Sequence, residues 1–314
     1  MKKNLSLILF FYFFYGSAFA QNLTVVSLRQ ITDNAKNEFY YPQISADGSR
    51  AFFTSANYKG IWYADLPSGS VVKLTDDEGA GYGFTVSSDS RTVFFRSNIY
   101  DSRGFRAAQQ IKEINISGPS ENILAEGADL SVPAAVAGND VFYTSSDKLY
   151  AASLISSSAG NAKAAVQNIR PVALIEHQKI ALYINGQKKV LSPLGEGNYI
   201  WPSVSPDGTR LLFTFAGKGS YISDLNGNIL LDLGYANAPG WSPDGRWVIY
   251  MNDHDNGIKV TSSDIFAANA VTGSRIQLTS TGDIHEMYPA WNNGSNVVFN
   301  SSDGKIFIMQ LKAE

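Results

Sequence analysis

The stretch YIWPSVSPDGTRLLF, Tyr199 to Phe213, decides how the chain is read, because weaker versions recur at YYPQISADGSRAFF, Tyr40 to Phe53, and APGWSPDGRWVIY, Ala238 to Tyr250. Each version has a Pro, a short apolar run, a Ser-x-Asp-Gly tetrapeptide, a spacer that includes Arg, and a second apolar run. In Ser-Pro-Asp-Gly the Pro presets φ at the second turn position, Asp tolerates the third, and Gly ends the turn. The unit is therefore a β-hairpin, and the tetrapeptide is turn chemistry rather than a binding motif.

The hairpins are the inner part of a longer repeat. Anchored on Pro42, Phe84, Pro133, Pro202, Pro239 and Pro289, its spacing is mostly roughly 40 to 50 residues, the period of propeller blades. The first unit predicts four strands at Pro42–Ser45, Ala51–Thr54, Ile61–Leu66 and Val71–Thr75, each rich in β-branched and aromatic residues and bounded by turn residues. Repeated four-stranded antiparallel sheets bury both faces when arranged radially, so the expected fold is all-β, a single β-propeller over residues 21–314. The last unit reads YPAW, NVVFNSS and KIFIMQL and has no fourth strand, whereas VVSLRQIT, Val25 to Thr32, resembles the outermost strands VVKLT and RIQLTS. The N-terminal strand is thus expected to close the ring. Between Pro133 and Pro202 the interval is long. There PVALIEHQ, KIALYING and KKVLSPLG align with three successive strands of the following unit, which favours seven blades, with six as the alternative. Only AKAAVQN, Ala162 to Asn168, is left to supply a further strand there.

The chain opens with Lys2 and Lys3, an apolar run from Leu5 to Tyr15, and a small-residue ending Ala18-Phe19-Ala20. That order predicts a secretory signal peptide over residues 1–20 and an exported protein, periplasmic or secreted, with no transmembrane segment after cleavage. The absence of Cys excludes disulfides, thiolate metal sites and a lipidated N-terminal Cys. The formal net charge is −3, and more negative once both lysines are removed, which points away from nucleic acid and anionic membranes. A monomer is expected.

At this point the residues resemble a known family, the TolB-like β-propeller repeat, a WD-like propeller of exported bacterial type. WPSVSPDGTRLLF and PGWSPDGRWVIY match its pattern of Pro, aromatic or aliphatic residue, Ser-Pro-Asp-Gly, basic residue and strand. YPQISADGSRAFF carries Ala46 in place of Pro; FTVSSDSRTVFF and YPAWNNGSNVVF are degenerate, and VPAAVAGNDVFY keeps only the frame. The resemblance covers nearly all of the predicted domain and implies the fold. It implies no single function, since the repeat is similar to those of periplasmic translocation-system proteins, peptidase propeller domains and some uronate lyases alike.

Function on such a scaffold is carried by the segments that enter the innermost strands. Here these hold Tyr40, Tyr82, Asn198, Tyr199, Tyr235, His285, Glu286 and Tyr288, together with Asn37, Glu38, Asp129 and Asn237. This mixed aromatic and polar rim suits a protein, a peptide or another envelope component. Packing between blades is the competing role for any one tyrosine. His285-Glu286 opens like a zinc-protease helix motif, but Pro289 stands where a second His is needed. Asp253-His254-Asp255-Asn256 offers oxygens to a hard cation, yet a polar run ending in Gly257 also describes a solvated hairpin. His177 falls within a strand pattern. The sequence contains no Gly-x-Ser-x-Gly elbow, phosphate loop or dinucleotide fingerprint. The reading is a non-catalytic binding module with no cofactor. The alternative is a carbohydrate-active propeller, a metal-assisted uronate lyase using His254 or His285, which requires both histidines and two acids to converge.

Overall fold

The computed structural model describes residues 22–313 apart from 34–36, 119, 133, 138–139, 147, 154–169 and 293. The expected signal peptide over 1–20 and the AKAAVQN segment lie outside the described residues. The first sheet is β1 (Leu23–Gln30) beside the last three strands of the chain, and the next two are β2 (Phe39–Ile44), β3 (Arg50–Ser55), β4 (Ile61–Asp65) and β5 (Val71–Thr75), then β6 (Thr85–Val86), β7 (Thr92–Tyr100), β8 (Arg106–Asn115) and β9 (Glu121–Gly127). Two three-stranded sheets follow, β10 (Ala134–Ala137), β11 (Asp140–Ser145) and β12 (Lys148–Ser153), then β13 (Val172–Glu176), β14 (Lys179–Ile184) and β15 (Gln187–Leu191). Next come β16 (Tyr199–Val204), β17 (Arg210–Phe215), β18 (Gly219–Asp224) and β19 (Ile229–Gly234), and β20 (Asn237–Trp241), β21 (Trp247–Asp255), β22 (Val260–Asn269) and β23 (Arg275–Gln277). The last strands are β24 (Glu286–Trp291), β25 (Asn296–Ser301) and β26 (Ile306–Ala313).

All pairings are antiparallel between sequence neighbours except one: β1 pairs with β26, Leu23 opposite Ala313 and Gln30 opposite Phe307. The N-terminal strand is the outermost strand of the last sheet, as its sequence suggested. The innermost strands adjoin one another in chain order, and β24 returns to pack on β2, which closes the ring. The preference for seven complete four-stranded blades is not met among the described residues. Five sheets have four strands, and the two between Ala134 and Leu191 have three each.

Strand alternation explains why sheets stack around a ring. Successive side chains point to opposite faces, so a strand with apolar residues throughout must be covered on both sides. In β3, Phe52 packs with Phe84, Val93 and Phe95 of the following sheet, while Phe53 packs with Phe39, Trp62 and Ile306 on the other side. In β17, Leu211 and Phe213 face Ile180 and Leu182, while Leu212 faces Val248 and Tyr250. The second strand of each blade therefore carries a core on each face.

The Ser-x-Asp-Gly turns have the predicted chemistry. Ser205 Oγ donates to Asp207 at 2.5 Å and accepts the Arg210 amide at 2.9 Å, with Gly208 at φ +75°. The same contacts recur at Ser45, Asp47 and Arg50 and at Ser242, Asp244 and Trp247. In the degenerate copy the glycine position is taken by Ser90, held at φ +62°. The motif's Arg also ties blades together: Arg210 donates to the carbonyls of Ala270 and Gly245 and lies 4.9 Å over the Trp241 ring.

The prolines do not open the innermost strands. In β2, β16, β20 and β24 the strand begins two or three residues earlier, and Pro42, Pro202, Pro239 and Pro289 sit inside it at a register shift. A bulge leaves an amide out of the ladder, which is where a strand tolerates Pro. The residue before each of these prolines has positive φ: Tyr41 at 53°, Trp201 at 50°, Ala238 at 45° and Tyr288 at 53°. His177 is a correction of the same kind: at φ 48° it belongs to the β13–β14 turn, not to a strand.

Candidate functional site

In an antiparallel blade, the chain entering the innermost strand and the connection from second to third strand lie on the same face of the ring. The Ser-x-Asp-Gly turns lie on the other. On the entry face the bulged positions project aromatic rings that meet across sheets. Tyr41 of β2 packs 4.4 Å from Tyr288 of β24 and stacks 4.8 Å from Tyr58, which sits in the 3-10 turn Ala56–Tyr58 joining β3 to β4. Tyr58 meets Tyr82 edge to face at 5.1 Å, and the Arg96 guanidinium lies 5.8 Å over Tyr82. Four tyrosines from β2, the β3–β4 turn, the entry to β6 and β24 thus form one continuous aromatic tract. Burial raises the pKa of Tyr41, Tyr58 and Tyr288, whose hydroxyls also interact with one another, so these three side chains are neutral at physiological pH.

The strain in this tract is informative. A bulky residue with positive φ costs about 1–2 kcal/mol and is uncommon outside glycine. Its repetition at Tyr41, Trp201 and Tyr288 means that the bulge turns these side chains out of the alternation followed by the rest of the strand. Trp201 is 39% exposed.

Beside the tract is a cavity of about 500 Å³ lined by Tyr40, Tyr41, His285, Met287 and Tyr288 on one side and by Lys259 and Val260 of the β21–β22 hairpin on the other. Tyr40 donates to Glu38 Oε2 at 2.7 Å, and burial together with that carboxylate pushes its pKa up to about 12. His285 Nδ1 is 3.3 Å from Ser302 Oγ, and the Tyr41 amide donates to Asn300 Oδ1 at 3.0 Å. The cavity therefore gathers Tyr40, His285 and Tyr288 of the expected site. Tyr82 and Tyr235 are exposed, 51% and 48% respectively. Tyr82 belongs to the tract. Tyr235 accepts from Asn237 Nδ2 at 3.0 Å, and the same amide reaches Asp253 Oδ1 at 2.7 Å. Asn198 is exposed at the entry to β16.

Two expected rim residues are not on the surface. Tyr199 is fully buried, donating to the Gly195 carbonyl at 2.9 Å and accepting the Leu194 amide at 2.8 Å, with its ring against Phe213 and Phe215. Glu286 is likewise 0% exposed: Oε1 accepts from Thr281 Oγ1 at 2.5 Å while Oε2 has no hydrogen-bond partner among the described residues. Both stand at the first position of their strand, ahead of the bulge, where alternation points them into the core. Tyr41, Tyr58 and Trp201 were missed for the complementary reason. Tyr41 and Trp201 lie past the point where alternation holds, and Tyr58 comes from a connection within a blade.

The polar run Asp253-His254-Asp255 forms the end of β21, so its side chains alternate between faces. Asp255 Oδ1 accepts the Gly257 amide at 2.7 Å, and Asn256 Oδ1 accepts those of Ile258 and Lys259 at 3.0 Å each, which makes this a capped hairpin. Among the described residues no three His, Asp or Glu side chains are grouped so as to hold a metal ion, so the convergence required by the lyase alternative is not found there. Among those residues no helix is long and apolar enough to cross a membrane.

No family model and no curated protein matches this sequence. Among solved structures, the fold is similar to that of TolB from Acinetobacter baumannii, with a TM-score of 0.51 and 18% identity, covering 81% of this chain and 57% of that one. The chain thus spans little more than half the length of that protein. It is also similar to an oligogalacturonate lyase from Vibrio parahaemolyticus, with a TM-score of 0.47 and 14% identity, covering 90% of this chain and 79% of that one. At such identities the likeness concerns the fold alone, an all-β propeller of TolB-like type.

Proposed function

We propose that this chain is an exported, non-catalytic β-propeller, periplasmic or secreted and monomeric, that binds another protein or an envelope component at the mouth of its ring. One observation carries the reading: four tyrosines from separate segments meet on the entry face, three of them, Tyr41, Tyr58 and Tyr288, held there at strained positive φ. Backbone strain persists where the surrounding structure enforces it, and it gathers at binding and catalytic sites. Neutral, partly exposed tyrosines supply large contact area at low side-chain entropy cost, as binding hot spots do. Tyr82 and Tyr288 of the tract act as partner contacts together with Tyr40, Asn198, Tyr235 and His285 on the same face. Tyr199 and Glu286 support the strands behind them.

The test is capture from a native envelope extract by tagged wild-type protein and by a Tyr58→Ala plus Tyr82→Ala variant. Both side chains lie on connections, so the variant should melt within a few degrees of wild type while losing most of the captured partner. Equal capture by both forms would remove the tract from the binding surface.

A further inference from the structure

The cavity beside the tyrosine tract has an electrostatic character that the tract lacks. Its lining includes Lys259 and His285 and no carboxylate. The acids nearest in sequence or space are engaged elsewhere. Glu38 accepts the Tyr40 hydroxyl, Asp253, whose charge is felt at Tyr288, accepts the Asn237 side-chain amide at 2.7 Å, Asp303 pairs with Lys305 at 2.6 Å, Asp255 caps its own hairpin, and Glu286, although it follows His285, is turned into the core onto Thr281. Lys259 itself makes no ion pair among the described residues. A lysine at the edge of an aromatic cavity, without a counter-charge of its own, is complementary to an incoming anion. Ser302 and Asn300 add neutral hydrogen-bonding groups to the same wall.

The shape narrows the choice of anion. The rings lining the cavity are tilted to one another, Tyr40 to Tyr41 by 50° and Tyr41 to Tyr288 by 58°. They form an angled cleft and not a flat shelf, which suits a flexible methylene stem better than the face of a sugar ring. A volume of about 500 Å³ accommodates one or two side chains, in the range of small-ligand pockets. We propose that this cavity is a carboxylate subsite that holds an Asp or Glu side chain from an extended segment of the partner polypeptide, with its stem against Tyr41, Met287 and Tyr288 and its carboxylate toward Lys259 and His285. The proposal rests on the reading of the entry face as a protein-binding surface.

Methionine methyls provide a readout, since Met287 lines the cavity while Met309 is buried in the core. The protein, labelled at its methionine methyls, is titrated with the capped peptide Gly-Ser-Glu-Ser-Gly, with its Gln and Lys counterparts, and with galacturonate. The Glu peptide should shift the Met287 resonance without moving Met309 and bind at least about tenfold tighter than the Gln peptide, an order of magnitude for one charge-assisted contact. Lys259→Gln should abolish that preference without changing Tm, because Lys259 is exposed on a hairpin. Equal binding of the Glu and Gln peptides, preference for Lys, a response to galacturonate alone, or no response of Met287 to any probe would each overturn the proposal. If it fails while the Tyr58 and Tyr82 variant still loses capture, the subsite is wrong and the binding face stands.

Discussion

Glu286 brings an ionisable group into a setting that disfavours its charge. Burial holds its carboxyl above the usual carboxylate range, the Thr281 hydroxyl acts the other way, and the charge on Asp264 adds to the rise. A carboxyl whose pKa is raised on folding contributes stability that is fully present below its ordinary value and is lost as pH rises from there through the raised folded value. Glu286→Gln should therefore raise Tm at pH 8 and leave it nearly unchanged at pH 4. A variant less stable than wild type at both pH values would mean that the ionised carboxylate is held by the fold. Two glycines make a second residue-scale contrast. A Cβ at Gly208 would lie 3.6 Å from Pro171, so Gly208→Ala introduces only the strain of φ +75°, about 1–2 kcal/mol. At Gly219 the Cβ would fall 2.3 Å from the Gly234 carbonyl, and Gly219→Ala should cost about 3 kcal/mol or more as overpacking adds to strain. Urea midpoints of the two variants would order them, and equal midpoints would contradict the distinction.

At the scale of elements, the hairpin turns between first and second strands were legible because their chemistry is local: a Ser hydroxyl, an Asp carboxylate and a Gly within a few residues specify the turn without help from the rest of the chain. The innermost strands were legible only in part. The residue before Pro is ordinarily driven to extended backbone, so nothing in Tyr41-Pro42 or Trp201-Pro202 announces a positive φ. The bulge that follows breaks the period-2 rule on which any inside-or-outside assignment depends. That is why Tyr199 and Glu286 were placed on the rim and Tyr41 was passed over. The closing strand was legible from its likeness to other outermost strands, and it supports a prediction. Deleting residues 21–32 removes β1 and leaves the backbone of β26 unpaired along Leu311, Met309 and Phe307. Exposed edges of this kind recruit other strands, so the truncated protein should lose several degrees of Tm and associate at concentrations where the full chain is monomeric. A truncated form that is monomeric and equally stable would show that ring closure does not depend on β1.

For the whole molecule, the fold is repetitive enough that even degenerate copies of the motif reinforce the good ones, which is how a propeller could be read without a match to any family model. The tyrosine tract is not repetitive. It arises where particular connections of β2, β3–β4, β6 and β24 meet, and such juxtapositions are set by the ring and not by any local pattern. The repeated turns also give the molecule a common acid response. Asp207 is held below the usual range by the Ser205 hydroxyl, against the effect of burial; at Asp47 and Asp244 burial is the larger single influence and is outweighed by the combined serine and backbone contacts. Carboxylates of lowered pKa contribute stability above their ordinary value of 3.8, and that contribution is lost as pH falls through the folded value. Tm should thus decline progressively below about pH 4, and less so in a variant with Asp47, Asp207 and Asp244 all changed to Asn. Finally, the pairing of β1 with β26 sets Leu23 directly opposite Ala313, so both ends of the folded chain leave the ring at one point. Tension applied between those ends would load this strand pair in unzipping, one cross-strand contact at a time, and not in shear. The ring should therefore part at its seam under low force, long before the packed faces of β3 or β17 yield.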